Sequence, residues 1–148
     1  MRILVINGPN LNRLGKREPE IYGRLTQADL FKLIKKHARE KGVRVKCVQF
    51  NSEEKAINAI HRSEGRFGGM VINPGAWTHY SYAVLDALKS VTVPAVEVHI
   101  SDIKKREVFR QNSVTKDACI AQITGKGFIG YLEAMDILTE KSKEKERG

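Results

Sequence analysis

The chain has 148 residues, 41% of them apolar and 29% charged, with a formal net charge of +9 at pH 7. That length suits a single domain over residues 1–148 burying about 68–70% of its unfolded surface, and the apolar content argues against disorder. No run of eighteen apolar residues is present, which argues against a membrane-spanning helix, and Cys47 and Cys119 show no zinc-type spacing.

Arg2–Asn7 is a short apolar run (Ile3, Leu4, Val5, Ile6), the signature of a strand buried on both faces. It is too short for a signal peptide and reaches Asn7 before any cleavage pattern, so a mature cytoplasmic N-terminus is expected. The loop over residues 8–24 greatly exceeds the usual connection of about 2–6 residues. Gly8, Pro9, Gly15 and Pro19 shape it, and Asn10, Arg17 and Tyr22 give it polar groups, so it reads as an active-site lid.

Thr26 with Asp29 predicts a capped helix start; Leu30, Leu33, Ile34 and Ala38 recur at helical spacing, and Gly42 stops the helix. Val43–Phe50 alternates apolar with basic residues, as a strand at a sheet edge does, and places Cys47 as a small hydrophobe. Asn51 or Ser52 caps a helix carrying Ala56, Ile57 and Ile60, which ends near Gly65. Gly69–Asn73 is a third strand, stopped by Pro74 and Gly75. Thr78 is the expected cap of a helix lined by Ala83, Val84, Ala87 and Leu88. Pro94–His99 is a fourth strand with proline at its first position, where a missing donor does least harm. Ser101 and Asp102 open a short helical turn, and Ala118–Thr124 is a fifth strand. The last helix is expected from about Gly127 to Glu140, with Ile129, Leu132, Ala134, Met135 and Leu138 inward, before a charged, fraying tail at 141–148.

Strand and helix alternate five times, which implies an α/β fold with a parallel sheet covered on both faces. Right-handed crossovers give a three-layer α/β/α sandwich, flavodoxin-like, with five parallel strands in the order 2-1-3-4-5. Such sheets bind ligands beyond the carboxyl ends of the strands, at the switch point between the first and third. The polar residues collect there: Asn7 to Asn10 after the first strand, Asn73 to His79 after the third, Glu97 to Ser101 at the fourth. Taken singly, each has an ordinary structural role as a turn residue, a solvated histidine or a half-buried anchor. Their convergence on one edge is what argues for a site.

Glu97 and His99 are two apart on a strand and leave the same face, so the carboxylate can orient the imidazole and favour its protonated form. Arg17 and Tyr22 share the loop, and an arginine is the cation best suited to favour a phenolate. An acid on a strand and a base on a lid suit proton abstraction beside a carbonyl followed by loss of a protonated leaving group.

Four segments carry a specific resemblance: Asn7 to Gly23 with Asn10, Arg17 and Tyr22; Ile72 to Ser81 with Asn73 and His79; Glu97 to Ser101; and Arg106 to Arg110. In this order they resemble the type II 3-dehydroquinate dehydratases over nearly the whole chain, from Ile3 to about Ala134. The resemblance implies anti elimination of water from 3-dehydroquinate, giving 3-dehydroshikimate through an enolate, with no metal or organic cofactor. It assigns Tyr22 as base, Arg17 as its activator, Asn10 to the enolate oxygen, His99 as acid and Glu97 behind it. Asn73, His79, Asp86 and Arg110 bind substrate hydroxyls and carboxylate, the backbone N–H groups of Ile100 and Ser101 suit the carboxylate, and Arg106 adds a second cation near the tyrosine. It also implies a trimer-based dodecamer. Ser52-Glu53-Glu54, Val114 and Lys126 depart from the family pattern, none at an acid or base, and they bear on subunit packing more than on chemistry.

Two other classes compete. A flavin-binding electron carrier of this architecture needs a Ser/Thr- and Gly-rich phosphate cradle after the first strand, which is missing here. A nucleic-acid module is suggested by Lys32, Lys35, Lys36, Arg39, Lys41, Arg44 and Lys46, but stacking aromatics are sparse among them, so they read as a solvated face. No nucleic-acid or membrane partner is expected.

Overall fold

The computed structural model describes residues 1–16 and 18–148, with the backbone alone for Ile21 and Tyr22. Its elements are β1 (Arg2–Asn7), α1 (Pro19–Tyr22), α2 (Gln27–Lys41), β2 (Arg44–Gln49), α3 (Glu53–Ser63), β3 (Gly69–Asn73), α4 (Tyr82–Lys89), β4 (Ala95–His99), β5 (Ala121–Thr124) and α5 (Ile129–Arg147), with short 3-10 turns between. Every strand pairing is parallel and the order is β2-β1-β3-β4-β5, as the alternation of strand and helix requires.

Period-two alternation in the central strands divides their side chains between two layers. Ile3, Val5, Val71, Val96 and Val98 pack with Leu30 and Ile34 of α2 and with Tyr131 and Met135 of α5. Leu4, Ile6, Met70 and Ile72 pack on the other side with Ile60, Trp77, Val84 and Leu88. β1, β3 and β4 therefore read as continuous apolar runs because both of their faces are covered.

Local signals set the helix ends. The Thr26 side chain accepts from the Asp29 N–H at 3.2 Å while the Asp29 carboxylate accepts from the Thr26 N–H at 2.9 Å, a reciprocal cap. Gly42 closes α2 in the left-handed region, at φ 68°. Ser52 caps α3 through the Lys55 N–H. Glu53 accepts from the Ser81 hydroxyl at 2.7 Å, so the unusual Ser52-Glu53 pair is used within the chain.

Four expectations need correcting. Ser81, not Thr78, caps α4, because residues 75–79 first form a 3-10 turn and the Thr78 hydroxyl is taken up by Ser113 and Thr115. On α4 the inward residue is Leu85 and not Ala83. α5 runs on to Arg147 instead of ending near Glu140, and it turns Tyr131 inward while Ile129 stays 54% exposed. β5 is also shorter than expected, since residues 115–118 make a 3-10 turn before it. No helix among the described residues is long and apolar enough to cross a membrane.

Candidate active site

The carboxyl ends of β1, β3 and β4 meet at a cleft of about 120 Å³. The loop after β1 supplies Pro9, Asn10 and Leu11; β3 and its turn supply Asn73, Gly75 and His79; the segment after β4 supplies Ile100, Ser101, Ile103, Arg106 and Arg110. This is the switch point of the sheet, where β1 connects to β2 on one side and neighbours β3 on the other.

Two close backbone approaches build its floor. A Cβ on Gly8 would lie 2.5 Å from the Pro74 carbonyl oxygen, so only glycine lets the β1 end sit against the β3 turn. The Gly8 N–H donates to the Asn73 carbonyl at 2.8 Å, extending the strand pairing by one bond. From β2, the Gln49 amide donates to the Gly8 carbonyl and to Asn51 Oδ1, both at 3.0 Å. Asn51 Oδ1 in turn accepts from the Asn10 N–H at 3.0 Å and holds Asn10 in the left-handed region, at φ 69°.

Beneath the cleft, the Tyr131 hydroxyl joins Asn7 to Asn73. It donates to Asn7 Oδ1 at 2.7 Å and accepts from Asn73 Nδ2 at 2.9 Å. Burial pushes the Tyr131 phenol far above its ordinary range, so the group stays a neutral donor. Asn73 Oδ1 accepts from the Gly75 N–H at 3.1 Å, which fixes the amide's orientation.

Glu97 and His99 are both buried, and His99 Nε2 lies 2.9 Å from Glu97 Oε2. That carboxylate oxygen also accepts from Ser113 at 2.8 Å and from the Gln122 amide at 2.7 Å, while Oε1 accepts from the Thr115 hydroxyl. Burial pushes the Glu97 carboxyl upward, but His99 beside it and the donors Thr115 and Gln122 outweigh that and hold it at about 2. An ionised carboxylate only accepts hydrogen bonds, so His99 carries its proton on Nε2 and keeps Nδ1 as its other proton site.

His79 is arranged the opposite way. Its Nδ1 donates to the Asn112 carbonyl at 2.7 Å, leaving Nε2 as the acceptor. Burial lowers its proton affinity and outweighs the Asn112 hydrogen bond, which raises it. Arg110 Nε lies 2.8 Å from Glu107 Oε2 but off the N–H axis, so the contact is an ion pair without a hydrogen bond. Arg106 Nη1 donates to Ser101 Oγ at 3.4 Å.

Asn10, Asn73, His79, Ile100, Ser101 and Arg110 thus come together as lining, with Arg106 among them. Glu97 and His99 lie buried next to them rather than in the lining. Asp86 is exposed on α4 and is not part of the cleft. Arg17 and the Tyr22 side chain lie outside the described residues. The two remaining histidines stand apart, His37 paired with Asp136 at 2.7 Å and His61 exposed on α3.

Gln49, Tyr131, Ser113, Thr115 and Gln122 have no site role in the sequence reading, and Asn51, there a possible helix cap, instead holds Asn10 while Ser52 does the capping. Gln122 had a signal, a polar residue between Ala121 and Ile123 of the fifth apolar run, and the β4–β5 register sets it opposite Glu97. The hydroxyl residues had none, since their loop follows no period.

Residues 1–139 match the family model described as dehydroquinase class II. The chain is 52% identical to the 3-dehydroquinate dehydratase of Thermotoga maritima, over 97% of this chain and 99% of that one. It is 53% identical to the enzyme of the same name from Halalkalibacterium halodurans, over 96% and 98%. Among solved structures it resembles the type II dehydroquinase of Butyrivibrio crossotus at a TM-score of 0.93 and 48% identity, covering 94% of this chain and 97% of that one. With the sheet order, the cleft at its switch point and the Glu97–His99 pair in place, this chain belongs to the class II dehydroquinase family.

Proposed function

We propose that this cleft converts 3-dehydroquinate to 3-dehydroshikimate by anti elimination of water, as a hydro-lyase of the shikimate pathway. The observation that carries the reading is the buried pair at the end of β4: an ionised Glu97 holding His99 by Nε2 beside a polar cleft, in a chain of this family. Tyr22, with its phenolate favoured by Arg17, takes the proton from the carbon next to the ketone. The electron pair moves onto the ketone oxygen, and Asn10 holds the enolate so formed. As the enolate collapses, the C–O bond on the neighbouring carbon breaks and doubly protonated His99, its Nε2–H held by Glu97, gives its Nδ1 proton to the departing hydroxyl, so the products are the enone and water.

The binding roles follow from what each group has free. In a trans peptide C=O and N–H point opposite ways. The carbonyls of His99 and Ile100 accept from the N–H groups of Gly125 at 3.2 Å and Gly127 at 3.0 Å, so the N–H groups of Ile100 and Ser101 turn away from β5. They suit a substrate carboxylate. Arg110 adds charge there, His79 offers Nε2 to a hydroxyl, and Asn73 keeps one N–H and one lone pair for the ring. Closure of the lid beyond its pinned Gly8–Asn10 end brings the base over the cleft and excludes water.

Asp86 is the exception, because it is exposed on α4 and does not line the cleft of its own chain. Tyr80, Tyr82, Val108 and Phe109 are 57%, 66%, 84% and 65% exposed and flank the cleft residues His79 and Arg110. Apolar groups this exposed mark a contact surface. They support a homo-oligomer built from trimers, a dodecamer in full, in which a neighbour's α4 carries Asp86 to the substrate. The reaction needs neither membrane nor nucleic acid, and we place it in the cytoplasm.

Purified protein incubated with 3-dehydroquinate is expected to develop the ultraviolet absorbance of a conjugated enone. Well-folded protein that gives no such signal refutes the assignment. Tyr22→Phe is expected to lose nearly all turnover with substrate affinity largely kept, because the base acts only in the chemical step.

A further inference from the structure

We propose that the strap of residues 112–115, together with Gln122 of β5, is a positioning element that sets the proton-bearing nitrogen of both histidines at once, with Ser113, Thr115 and Gln122 as positioning residues. The inference rests on His99 being the group that protonates the leaving hydroxyl.

The strap touches both rings by separate routes. Asn112 acts on His79 directly, since a backbone carbonyl only accepts and the ring must give it Nδ1–H. Ser113 and Thr115 act on His99 through Glu97, each donating to a different carboxylate oxygen. The strap is itself pinned to the turn that carries His79: the Val114 N–H donates to the Thr78 carbonyl at 2.7 Å, and the Thr78 hydroxyl contacts Ser113 at 2.6 Å and Thr115 at 2.8 Å. His79 follows Thr78 directly, so one buried cluster fixes the distance between the two histidines and their tautomers together.

Gln122 closes the arrangement from the other side. The groups around the carboxylate are two hydroxyls, an amide N–H and an imidazole N–H, and all of them donate. A proton on Glu97 would displace one of these, so the surroundings keep the carboxylate an acceptor and His99 protonated at Nε2. Among the described residues, the titratable groups near Glu97 are His99, His79 and Cys119, and burial, with the Glu97 charge second, raises the Cys119 thiol to about 12, which leaves it neutral. Removing a donor raises the proton affinity of Glu97 and moves the acid limb of activity upward.

Thr115→Val and Gln122→Leu remove one donor each while keeping most of the volume. Each is expected to lower kcat about tenfold or more, the weight of a hydrogen bond to a buried ion, with KM nearly unchanged and the acid limb of kcat shifted up. Thr115→Ser restores both. Imidazole ¹⁵N spectra read the tautomers without substrate: the wild type is expected to show neutral His99 protonated at Nε2 and His79 at Nδ1, and the double variant a mixture at His99. A wild type with His99 protonated at Nδ1, or a double variant whose His99 spectrum is unchanged, overturns the proposal. A tautomer that becomes mixed while kcat and the acid limb stay put upholds the positioning and overturns instead the role of His99 as acid.

Discussion

Tyr131 shows how much one hydroxyl can carry. It is fully buried, spans from α5 to the ends of β1 and β3, and satisfies one polar atom on each of two buried asparagines. Tyr131→Phe strips Asn7 Oδ1 of a donor and Asn73 Nδ2 of an acceptor at almost constant volume. The expected cost is about 1–3 kcal/mol of unfolding free energy, the price of leaving buried polar groups unpaired, together with a higher KM as Asn73 loses its fixed orientation. Denaturant titration and steady-state kinetics check the two parts. Glu97 gives a second residue-level expectation, in pH. Its folded value of about 2 lies below the ordinary 4.5, so the stability it adds is present above pH 4.5 and is lost as pH falls towards 2. Acid titration of the wild type should show this extra loss below pH 4.5, and Glu97→Gln should lack it.

At the scale of elements, the cleft depends on two turns packed against each other. Gly8 and Gly75 let the β1 and β3 exits touch: Gly75 adopts φ 57° with Pro9 beside it, and Gly8 leaves no space for a methyl group. Gly8→Ala is expected to push the β1 exit off Pro74, cost about 1–3 kcal/mol by overpacking and cut kcat/KM, because Asn10 and Asn73 move apart. Unchanged activity in a folded Gly8→Ala protein would show that the exits tolerate separation. The elements legible in the sequence were those with local causes, namely the both-face apolar strands, the Thr26–Asp29 cap, the Gly42 stop and the Glu97–His99 alternation. Those that escaped have causes distant in the chain. Thr78 has the chemistry of a helix cap, but Ser113 and Thr115, over thirty residues away, compete for its hydroxyl. Tyr131 and Ile129 are both apolar enough to face inward, and the choice is settled by Asn7, 124 residues earlier. Positions 103–118 hold three short 3-10 turns, with the 112–115 strap tied by such distant bonds to Thr78, His79 and Glu97, and no periodicity announces them.

For the whole molecule, the cleft of one chain is lined by most of the residues proposed to bind substrate but not by Asp86, which stands exposed on α4, and the apolar rim of Tyr80, Tyr82, Val108 and Phe109 lies next to the cleft. Both features have one explanation if the rim is covered by a neighbouring chain whose Asp86 completes the site. Two variants test it together. Asp86→Ala removes the carboxylate and keeps His99; His99→Ala does the reverse. Each assembly alone should be crippled, since every site then lacks a group. If the two are mixed under conditions that dissociate and reassemble the subunits, a mixed trimer contains one site pairing an intact His99 with an intact neighbouring Asp86, and turnover should reappear at up to about a third of the wild-type sites. Were Asp86 to serve its own chain's cleft, no mixed assembly would contain an intact site and mixing would restore nothing. Charged replacements at Val108 and Phe109 supply the control. They should reduce the particle mass seen by light scattering and abolish the complementation while leaving the secondary structure intact, because these side chains contribute little to the core of their own chain.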